Sequence, residues 1–168
     1  MSDLGFRAMT IDDAADMAQV YAHHVLHGTA SFEELPPSAD EMAQRLRALL
    51  ERDYPGIVAV SDHRVIGYAY AGPHKERSAY RYTVEDSIYL APTFHGKGVG
   101  GALMSQLIEQ CQARGFGQMM AVIGDSENNA SIALHRRRGF RDIGIARGIG
   151  LKFGRTLDVV YMQRDLRD

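Results

Sequence analysis

Four glycines in six residues, Gly96-Lys97-Gly98-Val99-Gly100-Gly101, stand between a strand-like stretch and a helical one, and they limit the fold more than any other part of the chain. Ahead of them Ser87-Ile88-Tyr89-Leu90 has β-character; behind them Val99, Leu103, Leu107 and Cys111 recur at helical spacing across residues 98–114. A strand–turn–helix passage of this kind bares backbone N–H groups at the positive end of a helix dipole. That is a place for an anion, most often a phosphate or pyrophosphate. The letters also satisfy G-x-G-x-x-G, the dinucleotide fingerprint, and Asp125 follows the next strand about where a ribose-binding acid is sought. A nucleotide-dependent oxidoreductase is therefore one reading. Against it, the loop lies mid-chain after a meander that looks antiparallel, and few residues remain for a second mononucleotide half. The Walker pattern fails, because no Gly-Lys-Ser/Thr follows.

With 168 residues the chain is long enough to bury a core, and it reads as one domain over residues 1–168. A net charge of -2 argues against binding nucleic acid by phosphate neutralisation. No apolar run approaches the ~18 residues of a membrane span, and a basic-then-apolar leader pattern is missing, so the expected location is cytoplasmic with no membrane partner. The single cysteine, Cys111, excludes an internal disulfide framework and a cysteine-cluster zinc site, and its place on the apolar stripe makes it a small buried hydrophobe. His23 and His27 fall on one helix face, but no third ligand is evident, and no metal is expected.

Taken in order, residues 6–9 read as a strand, and Thr10 caps a helix to about Leu26 with Asp12 and Asp13 in its first turn. Residues 28–37 are a loop with one large apolar residue, Phe32. Ser38 with Glu41 is a capping-box signature for a second helix, to about Arg52. Two strands, 57–60 and 65–70, join at Ser61-Asp62-His63, and a polar loop over 74–81 leads into a strand over 82–90 that carries Glu85 and Asp86. After the glycine loop and third helix come a continuous apolar strand, 119–123, a polar turn, and a fourth helix over 130–138. Residues 140–149 and 157–164 close the chain as a strand pair around Lys152-Phe153-Gly154-Arg155. The sum is a mixed α/β (α+β) domain, with about seven strands in a largely antiparallel sheet and four helices on both faces.

At this point the chain resembles a known family. The strand, glycine loop and helix look like the acetyl-CoA-binding motif of the GNAT superfamily of N-acetyltransferases, Q/R-x-x-G-x-G/A, with His95, Gly98 and Gly100 on its marked positions. His95 departs from the usual Gln or Arg. Residues 128–140, from Asn128 to the His135-Arg136-Arg137-Arg138-Gly139-Phe140 end, are similar to the later N-x-x-A…Y-x-x-x-G-F pattern. Gly67-Tyr68-Ala69-Tyr70-Ala71-Gly72-Pro73, Tyr82-Thr83-Val84-Glu85 and Lys152-Phe153-Gly154-Arg155-Thr156-Leu157-Asp158 resemble the phosphinothricin and methionine sulfoximine N-acetyltransferases.

The resemblance implies acetyl-CoA as co-substrate, a small amino acid or analogue as acceptor, direct transfer in a ternary complex, and a homodimer. It places the cofactor against Ile88, Tyr89 and Leu90, the loop residues Gly96, Lys97, Gly98, Val99, Gly100 and Gly101, and Asn128 at the pantetheine arm. An oxyanion-stabilising N–H maps near Tyr89 or Leu90. Glu85 takes the position of the general base and His135 that of the group facing the departing thiolate, as an acid, a relay or a packed ring. Phe32, Lys75, Arg77, Tyr80, Glu85 and Ser87 line the implied acceptor site, with Arg77 suited to grip a carboxylate. An amine titrating one or two units above neutrality costs only about 1.4–2.7 kcal/mol to deprotonate. Positioning can supply roughly 7–11 kcal/mol, so losing Glu85 should cripple transfer without abolishing it. A non-catalytic acyl-CoA sensor remains a further alternative.

Overall fold

The computed structural model describes residues 3–168. Its strands are β1 (Gly5–Ala8), β2 (Gly56–Ser61), β3 (Arg64–Pro73), β4 (Thr83–Leu90), β5 (Gln118–Gly124), β6 (Arg141–Lys152) and β7 (Arg155–Asp165), and its helices α1 (Ala14–His27), α2 (Ala39–Leu50), α3 (Val99–Ala113) and α4 (Asn129–Arg137). The seven strands form one sheet in the order β1-β2-β3-β4-β5-β7-β6. Every neighbouring pair is antiparallel except β4 with β5. This is the mixed, mostly antiparallel sheet read from the sequence. Its lone parallel pair does not make the doubly wound sheet that a dinucleotide fingerprint serves.

Two cores cover the two faces. Met17, Val25 and Leu46 of α1 and α2 pack with Val58, Val65 and Tyr68 on one side. Leu103, Leu107, Cys111 and Ile132 of α3 and α4 pack with Val84, Met119 and Met162 on the other. Cys111 is fully buried as expected, and burial pushes its thiol up to about 12.

Two local departures have physical causes. The first helix opens as a 3-10 turn, Ile11–Asp13, and α1 begins only at Ala14. Asp13 is buried and held from outside the helix: its carboxylate accepts from Thr10 N–H at 2.8 Å and from Arg7 at 2.7 and 2.9 Å. The β6–β7 ladder runs to Lys152 opposite Arg155, further than the expected ends at 149 and 157. Phe153 and Gly154 both take positive φ, 54° and 69°, the geometry of a two-residue hairpin turn, so the ladder zips to the tip.

The feature that positions the site is a failure of pairing. β4 meets β5 only at Thr83–Gln118, Val84–Met119 and Glu85–Met120. Beyond them β4 stays with β3 through residue 90, while β5 stays with β7 through residue 124. The two strands splay, and a wedge opens through the sheet.

Candidate active site

The wedge is a cleft of about 910 Å³. It is open to both faces of the sheet, because its lining includes His24 and Ala30 on the α1 side and Leu134 and His135 on the α4 side. Glu85, Ser87, Ile88, Tyr89, Leu90, Gly96, Gly98, Val99, Gly100, Gly101, Asn128 and His135 all line it, so residues distant in sequence meet at one cleft.

The glycine loop forms one end. Gly96 and Gly98 hold φ of +73° and +79°, a left-handed backbone that a Cβ strains, and Gly98 leads directly into α3. A Cβ on Gly101 would collide with the guanidinium of Arg138, whose Nε donates to the Gly101 carbonyl at 3.1 Å. The loop therefore brings a cation over the start of α3. Of the basic run at residues 136–138, Arg137 and Arg138 line the cleft, while Arg136 pairs with Asp142 at 3.0 Å.

Strand β4 forms the floor. Ala91 N–H donates to Ile66 across the β3 ladder, whereas the Leu90 carbonyl accepts from His24 Nε2 at 2.9 Å and His95 Nε2 at 3.0 Å on the other edge. Alternation along an antiparallel strand then aims the N–H groups of Leu90 and Ile88 into the cleft and that of Tyr89 into the β3 ladder. Of the two oxyanion candidates, only Leu90 has the geometry. The Tyr89 ring instead packs against Tyr21 and Tyr68, at centroid distances of 4.8 and 5.7 Å. His95, at the family's Gln/Arg position, stacks near His24 at 6.2 Å. Burial lowers the pKa of His24, outweighing the upward pull of its bond to the Leu90 carbonyl.

Glu85 and Asp86 point to opposite faces. Glu85 accepts from His74 Nδ1 at 3.0 Å, with the carboxylate about one-third exposed. The loop ahead of β4 thus supplies its partner. Asp86, by contrast, is almost fully buried and meets His135 Nε2 at 2.9 Å. Of the two carboxylates, Asp86 is the one taken out of water, so it is the one whose burial needs compensation. Period-2 alternation with Val84 and Ile88 was the signal that could have found it.

His135 Nδ1 donates to the Ser131 carbonyl at 2.7 Å, and the ring lies edge-on to Phe140 at 4.9 Å. Burial lowers its pKa, but the Asp86 charge and hydrogen bond and the Ser131 carbonyl outweigh that, so the net direction is up. Asn128 caps α4: Oδ1 accepts from Ser131 N–H at 3.2 Å and Nδ2 donates to the Gly124 carbonyl at 3.1 Å. These bonds use one of the two amide hydrogens, and Asn128 lines the cleft.

Phe32, Lys75, Arg77, Tyr80 and Lys97 stand outside the cleft lining. Lys97 lies over the Phe94 ring at 5.1 Å. Lys75 lies over Tyr80 at 5.3 Å, and Tyr80 meets His74 edge-on at 6.0 Å, so the polar loop connects to Glu85 through His74. Phe32 is seated between Gly124 and Gly150, where a Cβ at either position would strike its ring. Gly124 lines the cleft, which puts Phe32 at its rim. Nothing local in the sequence announces that contact. Lys152, buried, donates to the Ser31 carbonyl at 2.7 Å, and Ser31 Oγ bonds Tyr21, so the Phe32 loop is tied down from two sides.

Comparison with known proteins agrees with this geometry. The Acetyltransferase (GNAT) family matches residues 18–140. A phosphinothricin N-acetyltransferase of Alcaligenes faecalis is 46% identical over 160 residues, covering 95% of this chain and 81% of that protein. An L-methionine sulfoximine/L-methionine sulfone acetyltransferase of Salmonella typhimurium is 37% identical over 154 residues, 92% of this chain and 90% of that one. Among solved structures, a phosphinothricin acetyltransferase from Sinorhizobium meliloti in complex with AcCoA superposes with a TM-score of 0.93 at 45% identity, covering 96% of this chain and 88% of that one.

Proposed function

The chain belongs to the GNAT acetyltransferase family, and from that premise we propose that it is an acetyl-CoA-dependent N-acetyltransferase acting on the α-amine of a small amino-acid analogue of the phosphinothricin and methionine sulfoximine or sulfone type. The observation that carries this is the wedge between β4 and β5, with a glycine loop at one end and Glu85 at its apex. A thioester arm can enter from the α3–α4 face while an amine approaches from the face of Glu85, so transfer is direct, in a ternary complex.

Residues 96–101 and the start of α3 offer N–H donors to a pyrophosphate, with Arg138 adding charge. Acetyl-CoA supplies an activated acyl carbon. Leu90 N–H stabilises the negative charge that develops on the carbonyl oxygen. Glu85 takes the proton of the attacking amine, directly or through a water, and His74 orients it. Arg77 and Lys75, exposed beyond Tyr80, supply cations for the acceptor's carboxylate, and Ser87 and Phe32 bound the acceptor side.

The reading treats residues 1–168 as one domain, supported by a sheet that joins strands from both ends of the chain. It needs a small-molecule acceptor and neither nucleic acid nor membrane. A net charge of -2 agrees with the first exclusion. Among the described residues no helix is long and apolar enough to cross a membrane. A cytoplasmic location follows from the acetyl donor, an intracellular metabolite. We also place the chain in a homodimer: edge strand β6 and its turn expose Ile143, Ile149, Leu151 and Phe153, each more than half accessible, and an apolar edge invites a second copy. Light scattering that gave the monomer mass at micromolar concentration would remove that part.

The test is thiol release from acetyl-CoA across amino acids and their phosphinate, sulfoximine and sulfone analogues. Turnover with the analogues is expected. Tight acetyl-CoA binding with no thiol released for any acceptor would favour a sensor instead.

A further inference from the structure

The pair Asp86–His135 is unlike an ordinary catalytic histidine in one respect: both ring nitrogens are taken. Nδ1 faces a carbonyl, the Ser131 oxygen at 2.7 Å, which has no hydrogen to give, so Nδ1 carries one. Nε2 faces Asp86 Oδ2 at 2.9 Å, so one further proton lies between them, on nitrogen or on oxygen. Both side chains are only 2% exposed. No N–H of His135 is left for a ligand. Within the pair a single polar atom has no partner among the described residues: Asp86 Oδ1, buried, on a residue that lines the cleft. A buried carboxylate oxygen with no donor is costly, and its natural complement is a group that arrives with a hydrogen or leaves with one.

We propose that Asp86 and His135 form one proton-holding unit in which Asp86, rather than His135, presents the proton to the departing thiolate. The inference rests on the acetyltransferase reading above. As the amine nitrogen bonds the acyl carbon, the C–S bond breaks and its electron pair goes to sulfur. Sulfur takes the pair's one shared proton, which passes from Nε2 to the Asp86 carboxyl and on to sulfur, leaving Asp86 a carboxylate and the imidazole neutral. His135 keeps its Nδ1 hydrogen on Ser131 throughout, and the unit regains a proton from solvent as products leave. His135 is the reservoir and Asp86 the donor.

The surroundings leave this pair to titrate by itself in the working range. From α3 the facing group is Cys111, whose thiol burial pushes up to about 12; Tyr89 of β4 points to the opposite face, among Tyr21 and Tyr68, and burial holds its phenol well above its ordinary value. β5 and β7 present Met119, Ala121, Val160 and Met162. Arg138, at the C-terminal end of α4, is directed to Gly101, and Arg164 of β7 bonds the Arg138 carbonyl.

The experiment combines kinetics with a readout independent of turnover. Asp86→Asn should lower kcat roughly ten- to a hundredfold, at the low end of general-acid effects because a thiol with an ordinary pKa near 8.5 leaves readily. KM for acetyl-CoA should hold, and the fall of kcat at alkaline pH, where the wild-type pair loses its proton, should vanish. Asp86→Ser serves if Asn does not fold. In ¹⁵N-histidine NMR of the unliganded wild type, His135 should keep its Nδ1 hydrogen and titrate above an ordinary imidazole, and Asp86→Asn or Asp86→Ser should bring it down. A wild-type His135 titrating near pH 6.5, or a folded variant with unchanged kcat and unchanged alkaline limb, would overturn the proposal. Absence of transfer by the wild type to any acceptor would instead defeat the acetyltransferase reading, and the NMR arm would still report on the pair.

Discussion

Strand β4 carries two carboxylate–imidazole pairs on adjacent residues, and they sit in different surroundings. Glu85–His74 spans 3.0 Å with side chains 35% and 16% exposed; Asp86–His135 spans 2.9 Å with both at 2%. The chemical groups are the same. Strand alternation sends one pair to the wet face where an amine can approach and the other to the face packed under α3 and α4. Water screens the first, so its contribution to stability is small. The second has lost its water, so each partner depends on the other. One strand thus sets an accessible carboxylate–imidazole pair and a sheltered one on either side of the wedge.

That contrast can be broken by mutation. His135→Ala leaves Asp86 buried without its partner and should cost about 3–5 kcal/mol of stability, read from urea unfolding. A loss under 1 kcal/mol would mean that the pair is no more protected than its neighbour. Glu85→Gln should keep acetyl-CoA affinity and fold while lowering kcat roughly a hundredfold, the low end for a general base. Wild-type kcat near neutral pH would remove Glu85 from that role.

The pH dependence of stability sharpens the comparison. The folded pKa of His135 lies above the ordinary 6.5, so its bound proton stabilises the fold in full below pH 6.5, and this is lost as pH rises through the folded value. Wild-type melting temperature should therefore fall through that window, and His135→Ala should flatten the change. The smallest effect is expected at the exposed pair. His74→Ala should cost at most about 1 kcal/mol of stability while reducing kcat severalfold through a less ordered Glu85.

Much of this was readable from the chain, for reasons that also mark where reading stopped. Helical and strand periodicities are local, and they predicted four helices and seven strands, with ends displaced at the Arg7–Asp13 contact and at the Phe153-Gly154 turn. The glycine loop was legible because positive φ and helix starts leave letters behind. Its ligand was not, since the same letters fit a dinucleotide; the neighbours Glu85, Asn128 and His135 narrowed the choice. The wedge itself has no sequence signature: it exists because β5 follows β7 while β4 follows β3, a competition between pairings. Phe32 against Gly124 and Gly150, His74 at Glu85 and Arg138 over Gly101 are likewise contacts between segments remote in sequence. Asp86 was legible in principle, because counting alternate residues from Val84 places it inward.

The most direct test of the central claim is product analysis. Acetyl-CoA and methionine sulfoximine are incubated with the protein, free thiol is counted, and the amino-acid product is examined by NMR. The account predicts one acetyl group on the α-nitrogen for each thiol released, formed far more slowly by Glu85→Gln. Thiol released with free acetate and no N-acetylated product, or acetyl carried on any atom other than the α-nitrogen, would contradict it.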